Sequence, residues 1–328
     1  MSEMHLFGTD LFGEPVKPQP KNTLSGRFTV PPFSVLNTRD GAWQERKRAW
    51  LSYGIRSEEG RDAAAITTGH LNDAKYRRGT YAAPNGTRRT AEQNGCFLGQ
   101  TSVFDPVLTE LCYTWFCPPG GQVVDPFAGG SVRGIVASLL GYRYWGGELR
   151  PEQVEANREQ AAGICEADNA PIWKTGDSAE TVPALAPECD FVFSCPPYGN
   201  LEVYSDDPAD ISNMEYDQFL VAYRRIIAHS CAKLRDDRFA AFVVGDFRDK
   251  RTGHYQGFVG DTVQAFADAG LDLYNHAILV NSAGSLPIRV TKQFDSGRKM
   301  GKCHQDVLVF VKGSWRAATQ AVLGQDHL

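Results

Sequence analysis

The apolar residues of the chain change their spacing near residue 99. Residues 1–30 are rich in glycine and proline and show no regular apolar period, which predicts an extended arm. In residues 31–98 aromatic and charged side chains are interleaved, and only 42–53 has a helical pattern. This stretch has too few apolar residues for a core of its own, so we interpret it as an appendage of the domain that begins at residue 99.

Beyond residue 99, short apolar strands alternate with helical patterns. Helices are predicted at 104–116, 131–140, 152–163, 179–185, 216–233 and 262–269. Strands are predicted at 122–124, 142–148, 172–174, 191–193, 239–244, 277–280 and 307–311. This alternation predicts an α/β fold with a doubly wound, mostly parallel seven-stranded sheet, and the last two strands predict an antiparallel edge strand. The domain covers 99–315 and leaves a tail at 316–328.

The composition is that of a globular protein. The 328 residues are 42% hydrophobic and 22% charged, which excludes disordered, collagenous and coiled-coil proteins. No apolar run is long enough to cross a bilayer, and the first residues lack the basic and apolar regions of a secretory signal. The eight cysteines contain no CxxC pair. We therefore expect reduced thiols, a cytoplasmic location and no membrane partner.

Charge is distributed unevenly along the chain. The net charge of −5 argues against a protein that binds nucleic acid through bulk positive charge. However, 38–93 contains 11 Lys/Arg against 7 Asp/Glu, and 286–316 contains 7 against 2. These segments indicate contact with a polyanion, although solvated faces of an ordinary enzyme give the same pattern. The candidate residues are Arg46, Lys47, Arg48, Arg289, Lys292, Arg298, Lys299 and Lys302.

A glycine-rich turn, Asp-Pro-Phe-Ala-Gly-Gly-Ser at 125–131, comes directly after the first strand of the predicted sheet. Glycines there let a ligand approach the backbone at the carboxyl end of the strand. Glu148 ends the next strand, where a carboxylate can accept both hydroxyls of a ribose, and Asp177 ends the third, where it can accept from an adenine amino group. Each acid alone is typical of a surface or capping residue, but three at consecutive strand ends favour a ligand that carries a nucleoside. The GxGxxG fingerprint of NAD-binding proteins is absent.

A second candidate site is the turn Ser-Cys-Pro-Pro-Tyr at 194–198, at the end of the fourth strand. Its two prolines give a rigid turn whose carbonyls lack local N–H partners. Acceptors on the two N–H bonds of a nucleobase amine would localise the nitrogen lone pair and favour its attack on a methyl group. The Pro196 carbonyl and the side chain before it could accept these bonds, and Tyr198 could stack on the base. A purely structural turn is the alternative for this sequence taken alone.

With these motifs the chain resembles the S-adenosylmethionine-dependent amino-methyltransferases that modify adenine N6 or cytosine N4 in DNA, especially the single-chain forms of phages and prokaryotes. Residues 125–131 resemble the family's D-P-F-x-G-x-G cofactor motif, and 195–198 stand at its [D/N/S]-P-P-[Y/F] catalytic motif. Residues 101–106 are similar to the segment that holds the methionine carboxylate of the cofactor. The likeness covers about 99–312 and implies a Rossmann-like methyltransferase fold.

The resemblance also implies ligands and roles for individual residues. It implies S-adenosylmethionine as the cofactor, DNA as the partner, no metal, and a bacterial or phage-infected cell, and it indicates no oligomeric state. The cofactor-binding residues would be Thr101, Ser102, Asp125, Phe127 and Gly129 around the methionine end, Glu148 at the ribose and Asp177 at the adenine. The catalytic residues would be Ser194, Cys195, Pro196, Pro197 and Tyr198.

Cys195 departs from the family pattern, which has Asp, Asn or Ser at this position. Sulfur is a weak acceptor, and the charge-assisted bond of a carboxylate is lost. Either the backbone carbonyl and the neighbouring Ser194 suffice, or the site is slow or inactive. A covalent role for Cys195, as in cytosine-C5 enzymes, is disfavoured because those enzymes place the cysteine after a proline.

We therefore predict methyl transfer to the exocyclic amino nitrogen of a flipped DNA base by direct displacement. Adenine N6 is favoured over cytosine N4 on frequency alone, and an RNA base methyltransferase and an inactive nucleic-acid-binding relative are the alternatives. No separate recognition domain fits between the motifs or after residue 312, so we expect short or relaxed sequence specificity. Restriction–modification, its evasion and regulation of expression all agree with the sequence.

Overall fold

The computed structural model describes residues 23–56, 81–82, 88–89, 104–199, 205, 207–281 and 286–324. The strands are β1 (Val35–Asn37), β2 (Tyr81–Ala82), β3 (Arg88–Arg89), β4 (Gln122–Asp125), β5 (Arg143–Glu148), β6 (Ile172–Thr175), β7 (Cys189–Ser194), β8 (Leu234–Val244), β9 (Asp272–Val280) and β10 (His304–Lys312). The helices are α1 (Leu24–Phe28), α2 (Gly41–Leu51), α3 (Pro106–Phe116), α4 (Val132–Leu139), α5 (Pro151–Ile164), α6 (Ser178–Leu185), α7 (Tyr216–Lys233), α8 (Phe258–Asp268), α9 (Leu286–Gly297) and α10 (Trp315–Leu323).

Eight strands form one mixed sheet in the order β1-β9-β10-β8-β7-β4-β5-β6. All neighbouring pairs are parallel except those of β10, which runs antiparallel to both β8 and β9. The predicted α/β class, a doubly wound and mostly parallel Rossmann-like sheet, is confirmed. Strands β2 and β3 pair only with each other in the described part of the chain.

Two details of the predicted sheet are corrected. The antiparallel strand β10 lies inside the sheet and not at its edge, because six consecutive residues of it are buried and such a strand needs neighbours on both sides. The sheet has eight strands rather than seven, since β1 from the predicted appendage pairs in parallel with the end of β9. Its residue Leu36 is buried in the core.

The sheet is covered on both faces because successive side chains of a strand point to opposite sides. Val123 and Phe191 belong to the apolar layer that packs against α3, α4, α5 and α10, whereas Val124 and Val192 belong to the layer under α6, α7 and α8. Central strand β7 is buried along its whole length. Because helices cover both faces of the sheet, a ligand can reach it mainly at the ends of the strands.

Helix α2 is held on α3 by polar contacts that cross a large sequence separation. They join Trp43 and Lys47 to Asp105, and Arg46 and Trp50 to Glu110. Glu110 is buried, and its carboxylate accepts from the Trp50 indole at 2.8 Å as well as from the Arg46 guanidinium. The helix therefore packs as part of the same domain as α3.

Two predicted boundaries also change. Residues 24–28, within the predicted extended arm, form the short helix α1. The predicted tail contains α10, which packs against β8 and α3 and buries Ala318 completely. None of the helices in the described ranges combines the length and the apolar character needed to cross a membrane.

Replacement of Glu110 by alanine should destabilise the protein. Glu110→Ala removes the hydrogen bonds that the buried carboxylate accepts from the Trp50 indole and the Arg46 guanidinium, so we expect the free energy of unfolding to fall by about 2 kcal/mol in denaturant titration. Glu155→Ala is the control, because the Glu155–Arg158 pair is exposed and should contribute less than about 0.5 kcal/mol. Equal effects of the two substitutions would contradict the proposed role of the α2–α3 contacts.

Candidate active site

The ends of the central strands open into one cavity of about 1310 Å³. Segments after β4, β5 and β6 form what we call the glycine-loop half, residues 126–130, 147–150 and 176–178. Segments after β7 and β8 and around the start of β10 form the proline-turn half, residues 195–198, 245–250, 302, 304 and 305. This is the edge at which open α/β sheets bind their ligands.

Asp125 ends β4 and is completely buried. Its Oδ1 accepts from Ser194 Oγ at 2.5 Å and from Phe127 N at 3.2 Å. Its Oδ2 accepts from Arg133 Nε at 2.6 Å and from Tyr144 Oη at 2.7 Å. With four donors on two oxygens, this carboxylate is fully used inside the protein.

Two predicted site residues, Asp125 and Ser194, are therefore buried beneath the cavity lining and hold it in place. Asp125 and Ser194 are absent from its lining, and Ser194 Oγ also accepts from Phe127 N at 3.1 Å. This corrects the predictions that Asp125 touches the methionine end of a cofactor and that the Ser194 side chain serves a target amine. The physical reason is burial: both side chains make their hydrogen bonds inside the protein, Ser194 with Asp125 and Phe127 N, and Asp125 also with Arg133 and Tyr144. Thr101 and Ser102 lie outside the described residues.

Arg133 on α4 is the main residue that the sequence prediction missed. Its guanidinium donates to Asp125, to the Phe127 carbonyl at 2.6 Å and to the Ala128 carbonyl at 2.9 Å. Burial is the largest single effect and lowers the pKa of Arg133, but the charge and hydrogen bond of Asp125, together with Tyr144 and Cys195, outweigh it and raise this pKa above its usual value. The sequence signal was a charged residue on an otherwise apolar helix, Val-Arg-Gly-Ile-Val-Ala-Ser-Leu.

Tyr144 is likewise held protonated in this network. Burial and the charge of Asp125 raise the pKa of the Tyr144 phenol well above its usual value. The phenol therefore stays a donor to the carboxylate at any ordinary pH. Arg133 and Tyr144 together fix the orientation of Asp125, and Arg133 also fixes two carbonyls of the glycine-rich turn.

Glu148 ends β5 and lines the cavity, as its strand-end position predicted. Its Oε2 accepts from Gly129 N at 2.9 Å, and its Oε1 accepts from Arg150 N at 3.1 Å. Gly129 has a φ of +52°, which favours glycine, and its carbonyl accepts from Asn157 Nδ2 at 2.7 Å. The loop is therefore held from both sides, by a carboxylate and by a buried amide.

Asp177 and Phe127 complete the glycine-loop half. Asp177 lines the cavity and accepts from Ala179 N at 2.8 Å, so it caps helix α6 at the same time. Phe127 borders the cavity, and its ring lies 6.0 Å from that of Tyr223 between their centroids. Phe127, Gly129, Glu148 and Asp177 are thus brought together around one half of the cavity.

The proline-turn half contains Cys195, Pro196, Pro197 and Tyr198. Cys195 Sγ lies 3.7 Å from Tyr198 Oη. The Tyr198 hydroxyl accepts from Gln305 Nε2 at 2.5 Å, which the sequence prediction did not anticipate. The arrangement presents a fixed aromatic ring beside a rigid turn, which suits a planar group.

Three of the residues predicted to bind nucleic acid, Arg46, Lys47 and Arg48, lie on α2 and have different surroundings. Arg46 and Lys47 are engaged in the ion pairs with Glu110 and Asp105, and only Arg48 of the three is exposed. Lys47 also lines the cavity. The first predicted nucleic-acid cluster is thus mostly committed to internal contacts.

The basic residues predicted in the second segment lie on α9 and on the residues between α9 and β10. Lys292, Arg298 and Lys299 are exposed. Lys302 lines the cavity, with its Nζ 3.3 Å from the Asp246 carbonyl and 3.6 Å from the Asp306 carboxylate. Arg289 lies on α9, but its side chain is outside the described part.

No protein-family model and no curated protein matches the sequence. Among solved structures, TrmN from Thermus thermophilus is 16% identical with a TM-score of 0.42, and the likeness covers 64% of this chain and 49% of TrmN. The chain thus spans about half the length of TrmN.

Two further solved structures are similar at the same level. Magnesium protoporphyrin IX methyltransferase from Synechocystis PCC 6803, solved with bound SAM, is 16% identical with a TM-score of 0.39, covering 60% of this chain and 71% of that one. A TehB-like SAM-dependent methyltransferase from Corynebacterium glutamicum is 17% identical with a TM-score of 0.40, covering 67% and 94%. Likenesses this distant carry no residue role, substrate or cofactor over to this chain.

The geometry itself defines the class of site. A glycine-rich turn with carboxylates at the next two strand ends can hold a ligand that carries a nucleoside. The aromatic and proline-rich turn in the same cavity can hold a second planar group. Within the described ranges, no group of three or more His, Cys, Asp or Glu side chains is arranged to hold a metal ion.

Loss of Arg133 should destabilise the protein through the buried charge it leaves. Arg133→Met removes the counter-ion of Asp125, so we expect the free energy of unfolding to fall by about 3–5 kcal/mol in denaturant titration. The double variant Asp125→Asn/Arg133→Met should recover part of this loss, because no uncompensated charge remains. If the double variant lost as much stability relative to the wild type as Asp125→Asn and Arg133→Met lose together, the two residues would act independently.

Proposed function

We propose that this protein transfers a methyl group from S-adenosylmethionine to the exocyclic amino nitrogen of a DNA base, with adenine N6 as the target. One observation carries the proposal: a single cavity is lined both by the acids Glu148 and Asp177 and by the turn from Cys195 to Tyr198. A nucleoside site and a site for a planar amine are thereby continuous, as direct transfer between two ligands requires.

The glycine-loop half fits the cofactor by its donors and acceptors. Glu148 lines the cavity while it accepts from Gly129 N and Arg150 N, and we assign its carboxylate to the ribose hydroxyls. Asp177 is available on the next strand end for the adenine amino group. When bound, S-adenosylmethionine supplies a methyl group made electrophilic by its sulfonium.

The proline-turn half fits the target amine. Tyr198 stacks on the base, and the Pro196 carbonyl accepts one N–H of the amine, which concentrates the lone pair on nitrogen. The lone pair forms the new bond to the methyl carbon while the carbon–sulfur electron pair returns to sulfur, and the cationic amine then gives a proton to water. Cys195, beside Tyr198, contributes at most a weak acceptor to this step.

Exposed basic residues beside the cavity support the proposal that the substrate is a polyanion. Lys292, Arg298 and Lys299 are exposed on one side, and Lys250 and Arg251 are exposed on the turn after β8. The two groups are adjacent, since the Lys299 side chain lies against Gly253 of that turn. Lysine and arginine contacts to phosphates supply affinity without sequence readout, so relaxed specificity is expected.

The proposal is tested by incubating the protein with methyl-labelled S-adenosylmethionine and either DNA or RNA, and then digesting the nucleic acid to nucleosides. We expect label in N6-methyladenine from DNA. Label in N4-methylcytosine or in an RNA nucleoside would replace the target and keep the class of reaction. If calorimetry detects cofactor binding but no methyl group is transferred, the alternative function is favoured. The protein would then be an inactive nucleic-acid-binding relative, the alternative that Cys195 suggests.

Glu148→Gln should weaken cofactor binding. The substitution removes the charge from the acceptor of two ribose hydroxyls, and hydrogen bonds to charged groups are worth about 1.5–3 kcal/mol, so we expect the affinity to fall by roughly tenfold or more. Glu152→Gln is the matched control, because Glu152 is exposed on α5 outside the cavity. Calorimetric titration with S-adenosylmethionine measures both, and unchanged binding in Glu148→Gln would contradict the assignment of the ribose site.

A further inference from the structure

We propose that Gln305, itself held by Asn281, is a positioning residue that fixes the ring of Tyr198 in the geometry needed for the target base. The catalytic consequence of this inference rests on the proposed function, whereas the positioning itself does not. Neither Gln305 nor Asn281 belongs to a sequence motif of the site. Both become relevant only through the insertion of β10 into the sheet.

A chain of two hydrogen bonds leads from β9 to the tyrosine. Asn281 Nδ2 donates to Gln305 Oε1 at 3.3 Å, and Gln305 Nε2 donates to Tyr198 Oη at 2.5 Å. Asn281 is fixed at its backbone, because its N–H donates to the Cys303 carbonyl at 2.9 Å. The side chains of Asn281, Gln305 and Tyr198 are all partly buried and line the cavity.

The tyrosine ring is therefore held at both of its ends. At the Cβ end it follows the rigid Pro196-Pro197 turn, and at the hydroxyl end it is attached to Gln305. Its ring centroid lies 6.2 Å from that of Phe258, with an angle of 57° between the two ring planes. A ring fixed in this way has already lost its rotational freedom, so a base that stacks on it loses less entropy on binding.

The direction of the hydrogen bonds adds a chemical consequence. Because Gln305 donates to the phenol oxygen, the Tyr198 hydroxyl can direct its own hydrogen towards Cys195 Sγ at 3.7 Å or towards a bound base. A hydroxyl presented to solvent would adopt many orientations. Gln305 thus selects both the position of the ring and the direction of its polar end.

The kinetic test compares four variants under saturating cofactor. Gln305→Ala and Tyr198→Phe should each lower kcat about five- to tenfold, with the KM for S-adenosylmethionine unchanged, because both remove the hydrogen bond between Gln305 and Tyr198. The double variant should be no slower than the slower single one, since residues that act through one contact are not additive. Gln305→Glu should hold the ring but reverse the direction of this hydrogen bond, because a carboxylate accepts from the Tyr198 hydroxyl, so its kcat should lie between those of Gln305→Ala and the wild type.

Gln264→Ala is the matched control. Gln264 is exposed on α8, outside the cavity lining, and its amide donates to Asp268 at 2.8 Å, so the substitution also removes one glutamine hydrogen bond. Its kcat should equal that of the wild type. Full activity in Gln305→Ala, or multiplied effects in the double variant, would overturn the inference.

A second readout does not depend on activity. In protein labelled with 3-fluorotyrosine, the ¹⁹F resonance of Tyr198 is identified by its loss in Tyr198→Phe. Gln305→Ala and Asn281→Ala should shift and broaden this resonance, whereas Gln264→Ala should leave it unchanged. An unchanged resonance in Gln305→Ala would overturn the positioning role, and a shifted resonance in a protein that methylates no nucleic acid would refute only the proposed function.

Discussion

The cavity depends on one buried carboxylate. Asp125 accepts hydrogen bonds from Phe127 in the turn after its own strand, from Arg133 on α4, from Tyr144 on β5 and from Ser194 at the end of β7. A carboxylate without donors in this position would carry a large desolvation cost, so the four contacts form together or the charge becomes destabilising. Apolar packing tolerates small displacements of the glycine-rich turn and the proline turn, whereas the hydrogen bonds to Asp125 require both turns to stay in place.

Through Asp125 the two halves of the cavity share one anchor. Phe127 follows the end of β4 in the glycine-loop half, and Ser194 immediately precedes the turn of the proline-turn half. The methyl transfer that we propose requires that both ligands be held to within about 0.5 Å. A direct hydrogen bond between the supports of the two halves meets this requirement more economically than contacts through the bulk of the core.

The alternation of strands and helices was sufficient to predict the class of fold and the edge of the sheet at which the cavity lies. Glu148 and Asp177 could be found because a residue that ends a strand of a parallel sheet lies at the ligand edge wherever that strand is placed. The interior position of β10 could not be predicted, because strand order depends on pairing between residues distant in sequence.

The missed or reassigned residues have the same explanation. Gln305 and Tyr198 are 107 residues apart in the sequence, and Arg46 and Glu110 are 64 apart. Neither contact therefore produces a local sequence pattern. Both pairs were invisible to reasoning from motifs. Arg133 is different: a charge on an apolar helix needs a buried partner, and this signal was present in the sequence.

The antiparallel direction of β10 has a consequence for how such a protein can diversify. Because β9 ends and β10 begins at the ligand edge, the chain between them passes the mouth of the cavity and returns without crossing the sheet. Residues can be added to or removed from this connection while every strand keeps its register. Natural variation in the length of α9 and its flanks would therefore alter the reach of the protein over a substrate while sparing the chemistry beneath.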